Sequence, residues 1–448
     1  MQEHPIGNGV LTARIPREFA AAIEALQLAG SNTDALLELN DAEWHRLLDV
    51  CDLAHLTLAL AQLPTAGFPA WVVERLERNV SDNTLRSRHV QSLYIEAAEA
   101  LTREGVPHVV IKGFTLAPGY VADPRYRLQS DLDFYVPKHH MDAAVSALTA
   151  IGYTKSPENH SRFADHTPSL VRPGGAWKGN MYDPDLALGI ELHFSLWNSP
   201  VTRVTLPEID LFWRRRVLRR SGSFAFWSLS ETDQLGYFAL HVLRDVFSGE
   251  WVVHHVFDLA TFLHRRAADA PFWAQWQTLH SARLRQIQAV AFLISHTWFS
   301  AQLAPAVQQE IAALPADLVR WVAILGAHPL ESTYRNAREG RLLQYLLADS
   351  WQAKLHALRR ALIPVALAVP SGPYLRSRNH RVKKGGADRY YLDRIAYLGY
   401  AIGTRLVANA EFLANAIRFF VFAAIPDEPL LRPRSSTQAQ YAVDGSGR

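Results

Sequence analysis

Between Pro107 and Val136 the chain sets an apolar run, Val109 to Ile111, then a Lys112-Gly113 turn and a basic loop. A second run follows and opens with two aspartates, Ser130-Asp-Leu-Asp-Phe-Tyr-Val136. A strand has a period of two, so Asp131, Asp133 and Tyr135 share one face while Leu132, Phe134 and Val136 take the other. The apolar face anchors in a core and leaves two carboxylates aimed at one point. Adjacent like charges repel unless a cation lies between them. A hard divalent ion with oxygen ligands is the natural occupant; a solvated strand end is the plain alternative.

A third acid extends the pattern. Ile190 to Trp197 alternates as well, with Ile190, Leu192, Phe194 and Leu196 on one face and Glu191 and His193 on the other. Two acids on one strand and one on a neighbour suit a pair of magnesium ions in phosphoryl or nucleotidyl transfer. The other Asp-x-Asp, Asp183-Pro184-Asp185, reads as a turn because proline suits a bend and not a strand. Arg127 either pairs with Asp123 or Asp131 or offers its planar fork to a phosphate. His193 reads as a satisfied half-buried histidine, as a ring that orients a carboxylate, or as a base near the acceptor.

Lys112-Gly113, the Asp123-Pro-x-x-Arg127 loop, Ser130-Asp131-Leu132-Asp133 and Glu191-Leu192-His193 together resemble a bacterial nucleotidyltransferase family of the DNA-polymerase-β-like superfamily. The resemblance spans Val106 to Trp197, about a fifth of the chain. It implies a mixed-sheet core, Mg2+ (or Mn2+) held by Asp131, Asp133 and Glu191, and an NTP, ATP first among them, as donor. Lys112, Gly113, Arg127, Ser130 and His193 would then border the nucleotide. The wider superfamily carries Gly-Ser after its first strand, where backbone and hydroxyl hold the triphosphate. Here Lys112-Gly113-Phe114-Thr115 stands in that place. Lysine supplies a point charge; Phe114 supplies no phosphate contact.

At 448 residues the chain is long for one domain. Its 46 basic and 43 acidic side chains nearly balance, which asks for no polyanionic partner. One cysteine, Cys51, excludes an intrachain disulfide and fits a cytoplasmic protein. The start lacks a charged segment followed by an apolar run, so no signal peptide is expected. Pro16 to Gly105 has helical periodicity. One helix begins around Phe19, a second opens at Asp41 with an acidic first turn, and a third runs from Asn83 to Glu104 with Gly105 as its stop. This segment is expected to pack on the sheet and to contribute no chemistry.

Lys138 to Ile151 is a further helix, ended by Gly152. Glu158 to His166 reads as a polar loop near the site. Pro168 to Arg172 and Leu186 to Trp197 read as strands around Pro173-Gly174-Gly175. Trp177, Lys178 and Asn180 either border a base or are exposed turn residues. Leu211 to Arg220 reads as a basic helix, a solvated face or a surface for an acidic partner. Ser230 with Asp233 three residues on marks a helix start.

The rest is helical in pattern. Thr232 to Val246 and Val252 to Arg266 carry His241, His254, His255 and Asp258, with His254 and Asp258 one turn apart. These are satisfied structural residues, the lining of a cleft, or a separate metal site. No P-loop lysine motif and no protein-kinase motif set occurs, which excludes Walker-type ATPases and protein kinases. Ser371 to Asp388 is a basic loop bounded by glycine. Phe412 to Ile425 is apolar but short and broken by Arg418, so a core or interface helix is expected and no transmembrane segment.

The expected architecture is α+β. A small mixed-sheet nucleotidyltransferase core (106–228) lies between an N-terminal helical segment (1–105) and a larger C-terminal helical region (229–425), with a disordered polar tail (426–448). The expected partners are a nucleotide and an acceptor, a small molecule, peptide or protein before long nucleic acid. The alternative is a nucleotidyltransferase scaffold without catalysis that binds a nucleotide or a partner protein, which Phe114 favours.

Overall fold

The computed structural model describes residues 3–6, 11–156, 165–172, 178–221, 224–250, 253–363 and 387–422. A seven-stranded mixed sheet spans Val109 to Ser228, with helices before and after it, as the α+β reading expects. Its strands are β3 (Val109–Ile111), β4 (Asp131–Tyr135), β5 (Thr154–Lys155), β6 (Leu170–Val171), β7 (Gly189–His193), β8 (Val217–Ser221) and β9 (Phe224–Ser228). Their spatial order is β5-β6-β7-β4-β3-β9-β8. Strand β4 pairs in parallel with β7 and antiparallel with β3. A separate two-stranded sheet, β1 (Glu3–Ile6) and β2 (Leu11–Arg14), lies within the N-terminal segment expected to be helical.

The alternation along β4 and β7 divides the sheet into two chemistries. Leu132, Phe134, Ile190 and Leu192 are fully buried on one face, against Val90, Tyr94, Ala144 and Leu148. Each such side chain contributes about 1.5–3 kcal/mol of burial. The covering residues come from α3 (Ala70–Arg103) and α4 (Met141–Ala150). Earlier in the chain lie α1 (Arg17–Ala25) and α2 (Asp41–Leu53). Helix α2 begins at Asn40 with a reciprocal capping box to Glu43.

Helix α3 starts well before the expected Asn83. Its N-terminal half buries polar residues, Asn79, Asn83 and Arg86, which breaks the apolar stripe. Those residues are bonded rather than solvated. Asn83 Nδ2 donates to the carbonyls of Arg125 and Arg127, and Arg86 donates to those of Gln129, Asp183 and Leu186. The long helix thereby holds the loop that leads into β4.

Two further expectations need correction. The strand expected to reach Trp197 stops at His193, where Phe194 N turns to the carbonyl of Asp165. The helix expected over Leu211 to Arg220 ends at Arg214, and β8 begins at Val217 to pair with β9 across five residues. Pairing in the sheet overrides helix propensity there. Two of its arginines serve the core: Arg215 pairs with buried Asp233, and Arg219 donates to the carbonyls of Thr115 and Ala117. Asp183-Pro184-Asp185 is a turn, with Asp185 N donating to Asp183 Oδ1.

The C-terminal helices include α5 (Glu231–Ser248), capped by Ser230, α6 (Val253–Arg265), α7 (Ala282–Phe299), α8 (Gly340–Leu347) and α9 (Ala387–Ile417). They share an apolar core with α1, α2 and the second face of the sheet. Helix α8 lies so close to α5 that a Cβ at Gly340 would fall 1.7 Å from the carbonyl oxygen of Val246. Gly340→Ala is therefore expected to cost about 3 kcal/mol of stability, read as a lowered urea midpoint; an unchanged midpoint would contradict that approach.

No helix among the described residues is long and apolar enough to cross a membrane. Glu158 to Ala164, Pro173 to Trp177 and the tail from Pro426 lie outside the described residues. Of Ser371 to Asp388 only Ala387 and Asp388 are described, and they open α9.

Candidate active site

The face of β4 and β7 turned away from α3 carries the acids. In the parallel register Asp133 stands opposite Glu191, and Tyr135 opposite His193. Asp131 and Glu191 are half-buried, whereas Asp133 and His193 are each only 2% exposed. Ligand atoms of Asp133, Glu191 and His193 lie within 4.8 Å of one another. Asp131 is outside that cluster but lines the same cavity, of about 750 Å³, with Asp133 and Glu191. Gly113 and Ser130 also line it.

Burial of two like charges demands compensation. Lys112 Nζ lies 3.0 Å from Asp133 Oδ1, and His193 Nε2 approaches the same oxygen to 2.7 Å. Burial raises the Asp133 carboxyl pKa, but the Lys112 ammonium and the His193 hydrogen bond outweigh it and hold the group well below the usual carboxylate range. Lys112 and Arg127 offset the charge of Asp131 only in part. Burial and the neighbouring Asp133 charge push it up to about 7. The cation that the sequence pattern requires is thus supplied in part by Lys112, whose ammonium is held on the acids by Asp133.

The Lys112-Gly113 turn aims that lysine. Lys112 has φ 60° and ψ −157°, a region almost reserved for glycine. Such a conformation costs about 1–3 kcal/mol and persists only where its surroundings impose it. Gly113 also has positive φ, and a Cβ there would meet Gln129 Nε2 at 2.3 Å. Gln129 donates to the carbonyl of Asp131, so the turn and the acid strand are coupled. The residues that follow face away from phosphate chemistry. Phe114 packs edge-on against Tyr94, Phe224 and Phe226, and Thr115 donates to the carbonyl of Lys112 while accepting from Gln234.

Arg127 lines the cavity but pairs with neither Asp123 nor Asp131. Its Nε lies 2.8 Å from Asp258 Oδ2 on α6, while Asp123 binds Arg125. Asp258 therefore does not join His254, whose ring lies tilted against those of His55 and His255 instead. His55, from the segment expected to carry no chemistry, lines the cavity. Burial and the charge of Arg127 push its pKa down to about 4.

Sequence reading placed Asp165 and His166 only within a polar loop near the site, and it missed Arg244 and Asp245. His166 Nδ1 lies 3.5 Å from Glu191 Oε2, and Ser169 Oγ donates to Glu191 Oε1. Arg244 reaches Asp165 at 3.1 Å and Asp245 at 3.4 Å. Only Asp245 had a local signal, one turn from His241 on the same helix.

The carboxylates fit a hard divalent cation, which takes oxygen ligands. His193 Nε2 is spent on Asp133, and among the described residues its buried Nδ1 has no hydrogen-bond partner. The ring is thus placed to orient a carboxylate rather than to act as a ligand of such an ion.

The sequence profile of the uncharacterised nucleotidyltransferases matches residues 40–303, more than half of the chain. No curated protein and no solved structure matches it.

Proposed function

Because the chain belongs to the uncharacterised nucleotidyltransferase family, we propose that it moves an NMP group from an NTP, ATP first, to an acceptor hydroxyl or phosphate, with pyrophosphate leaving. The observation that supports this most is the register of Asp133 with Glu191 on adjacent parallel strands, with Asp131 beside them on the cavity wall. Residues 106–228 would form the catalytic core, and the helices of 1–105 and 229–425 would enclose the substrate.

Asp131, Asp133 and Glu191 would hold Mg2+ or Mn2+. When bound, such ions neutralise phosphate charge and lower the pKa of an attacking oxygen. Lys112 shares that work: it holds Asp133 ionised and presents fixed positive charge to the phosphates. Arg127, fixed by Asp258, adds a second cation on the cavity wall, and Gly113 and Ser130 border the nucleotide. His193 orients Asp133. Among the described residues, Arg127 and Arg244 in the cavity are paired with acids. That leaves no open basic track and favours a small molecule, peptide or protein acceptor over long nucleic acid. NTP consumption and a single buried cysteine, Cys51, fit the cytoplasm.

A second reading is a scaffold that binds a nucleotide or a partner without catalysis. Phe114 and Thr115, committed to packing and to Gln234, favour it. Incubation with Mg2+, a cell extract and ATP labelled on either the alpha or the gamma phosphate separates the readings. Label moving from the alpha position with pyrophosphate released is the expected result. Gamma-label transfer, or nucleotide binding with no product from any NTP, refutes it.

A further inference from the structure

The cavity has a second cluster of donors on its helical wall, facing the acids. Helix α5 carries His241 and Asp245 one turn apart, and the first turn of α6 brings His255 beside them. His255 Nδ1 lies 2.8 Å from Asp245 Oδ2, and His241 Nε2 lies 3.5 Å from the same oxygen. One ligand atom from each residue lies within 4.8 Å of the others. We propose that His241, Asp245 and His255 form a binding site for a divalent transition-metal ion of the zinc class.

Two observations carry this. The first is an unmet bonding need. Two imidazoles converge on one carboxylate oxygen; His255 takes it, and His241 stops beyond a good hydrogen bond. A cation between the three would bond the carboxylate oxygen and both ring nitrogens at once. The second is geometry. Zinc bonds of 2.0–2.1 Å in a tetrahedron place ligand atoms about 3.3 Å apart. The contacts at 2.8 and 3.5 Å bracket that value, and the third pair, His241 with His255, closes within 4.8 Å.

Arg244 lies against the other oxygen of Asp245, which leaves Oδ2 to the imidazoles. Three protein ligands leave a coordination position open, a pattern typical of reactive rather than structural zinc sites. His241, Asp245 and His255 line the same cavity as Asp131, Asp133 and Glu191. An anionic group of a bound molecule, a phosphate or a carboxylate, would take that position. Ligand softness separates the two walls, since imidazole suits zinc, cobalt and nickel whereas the carboxylates suit magnesium and manganese. The proposal concerns metal binding alone, so failure of nucleotidyl transfer would leave it standing.

The test is titration of the full-length, chelator-stripped protein with Zn2+ by calorimetry and with Co2+ by visible absorption. One tight equivalent is expected, with a Co2+ spectrum of mixed nitrogen and oxygen ligation that excess Mg2+ does not abolish. His255→Ala and Asp245→Asn should each weaken binding at least tenfold, and Glu191→Gln should leave it unchanged. Zn2+ should raise the melting temperature of the parent and not of His255→Ala. Absence of Co2+ binding by the parent overturns the proposal and leaves His255 and Asp245 as a hydrogen-bonded pair. Binding lost in Glu191→Gln but kept in His255→Ala overturns it by placing the ion at the sheet.

Discussion

Asp133→Asn is expected to lower stability by about 3–5 kcal/mol and to abolish nucleotidyl transfer in the same protein. The stability loss follows from what the carboxylate neutralises. Lys112 Nζ lies 3.0 Å from it and is itself only 12% exposed in its side chain, and His193 shares the same oxygen. An amide in place of the carboxylate leaves the ammonium buried without its counter-charge, and removing one partner of a buried pair costs about that much. Lys112 also sits in a strained backbone conformation that this ion pair helps to hold, so the Lys112-Gly113 turn should loosen as well. Urea unfolding and the alpha-label assay measure the two effects. Wild-type stability in the variant would mean that Lys112 and Asp133 are not paired in solution.

Asp131→Asn is expected to separate the two effects. Asp131 is half-buried, and its charge is opposed by burial and by Asp133. Removing it relieves repulsion, so stability should hold or rise, within about 1 kcal/mol. Activity should still collapse. A ligand that places charge on the reacting phosphate is worth several kcal/mol in the transition state, and about 4 kcal/mol is roughly a thousandfold in rate. The two variants complement each other, because Asp133→Asn would lose activity through unfolding as well as chemistry, and Asp131→Asn through chemistry alone. Wild-type transfer by Asp131→Asn would remove Asp131 from the reaction.

Much of the sheet was legible in the sequence because its decisive signal is local. Strands β3 and β4 follow from apolar runs and from period-two alternation, and Asp131, Asp133 and Glu191 fall on the face that alternation assigns. The end of β7 was not, because Phe194 and Leu196 continue the apolar alternation while the chain turns to Asp165. Around Arg214 the basic run has no period that distinguishes helix from strand, and the register with β9 decides it. The first half of α3 was hidden because Asn79, Asn83 and Arg86 point inward at carbonyls of distant loops. The helical side of the site was the least legible. Arg127 meets Asp258 across 131 residues, and His55 reaches the cavity from a helical segment with no local motif. Such pairings are set by how helices pack on the sheet.

The central claim is that the carboxylates of β4 and β7 bind a divalent ion together with an NTP. Titration of Mn2+ with a non-hydrolysable ATP analogue, followed by the paramagnetic signal of free Mn2+, addresses it most directly, with His255→Ala as the background to silence the helical wall. Depletion of free Mn2+ that strengthens with the nucleotide, and that weakens at least tenfold on adding Asp131→Asn or Glu191→Gln, is the predicted result. Equal Mn2+ binding with and without those substitutions would contradict the account.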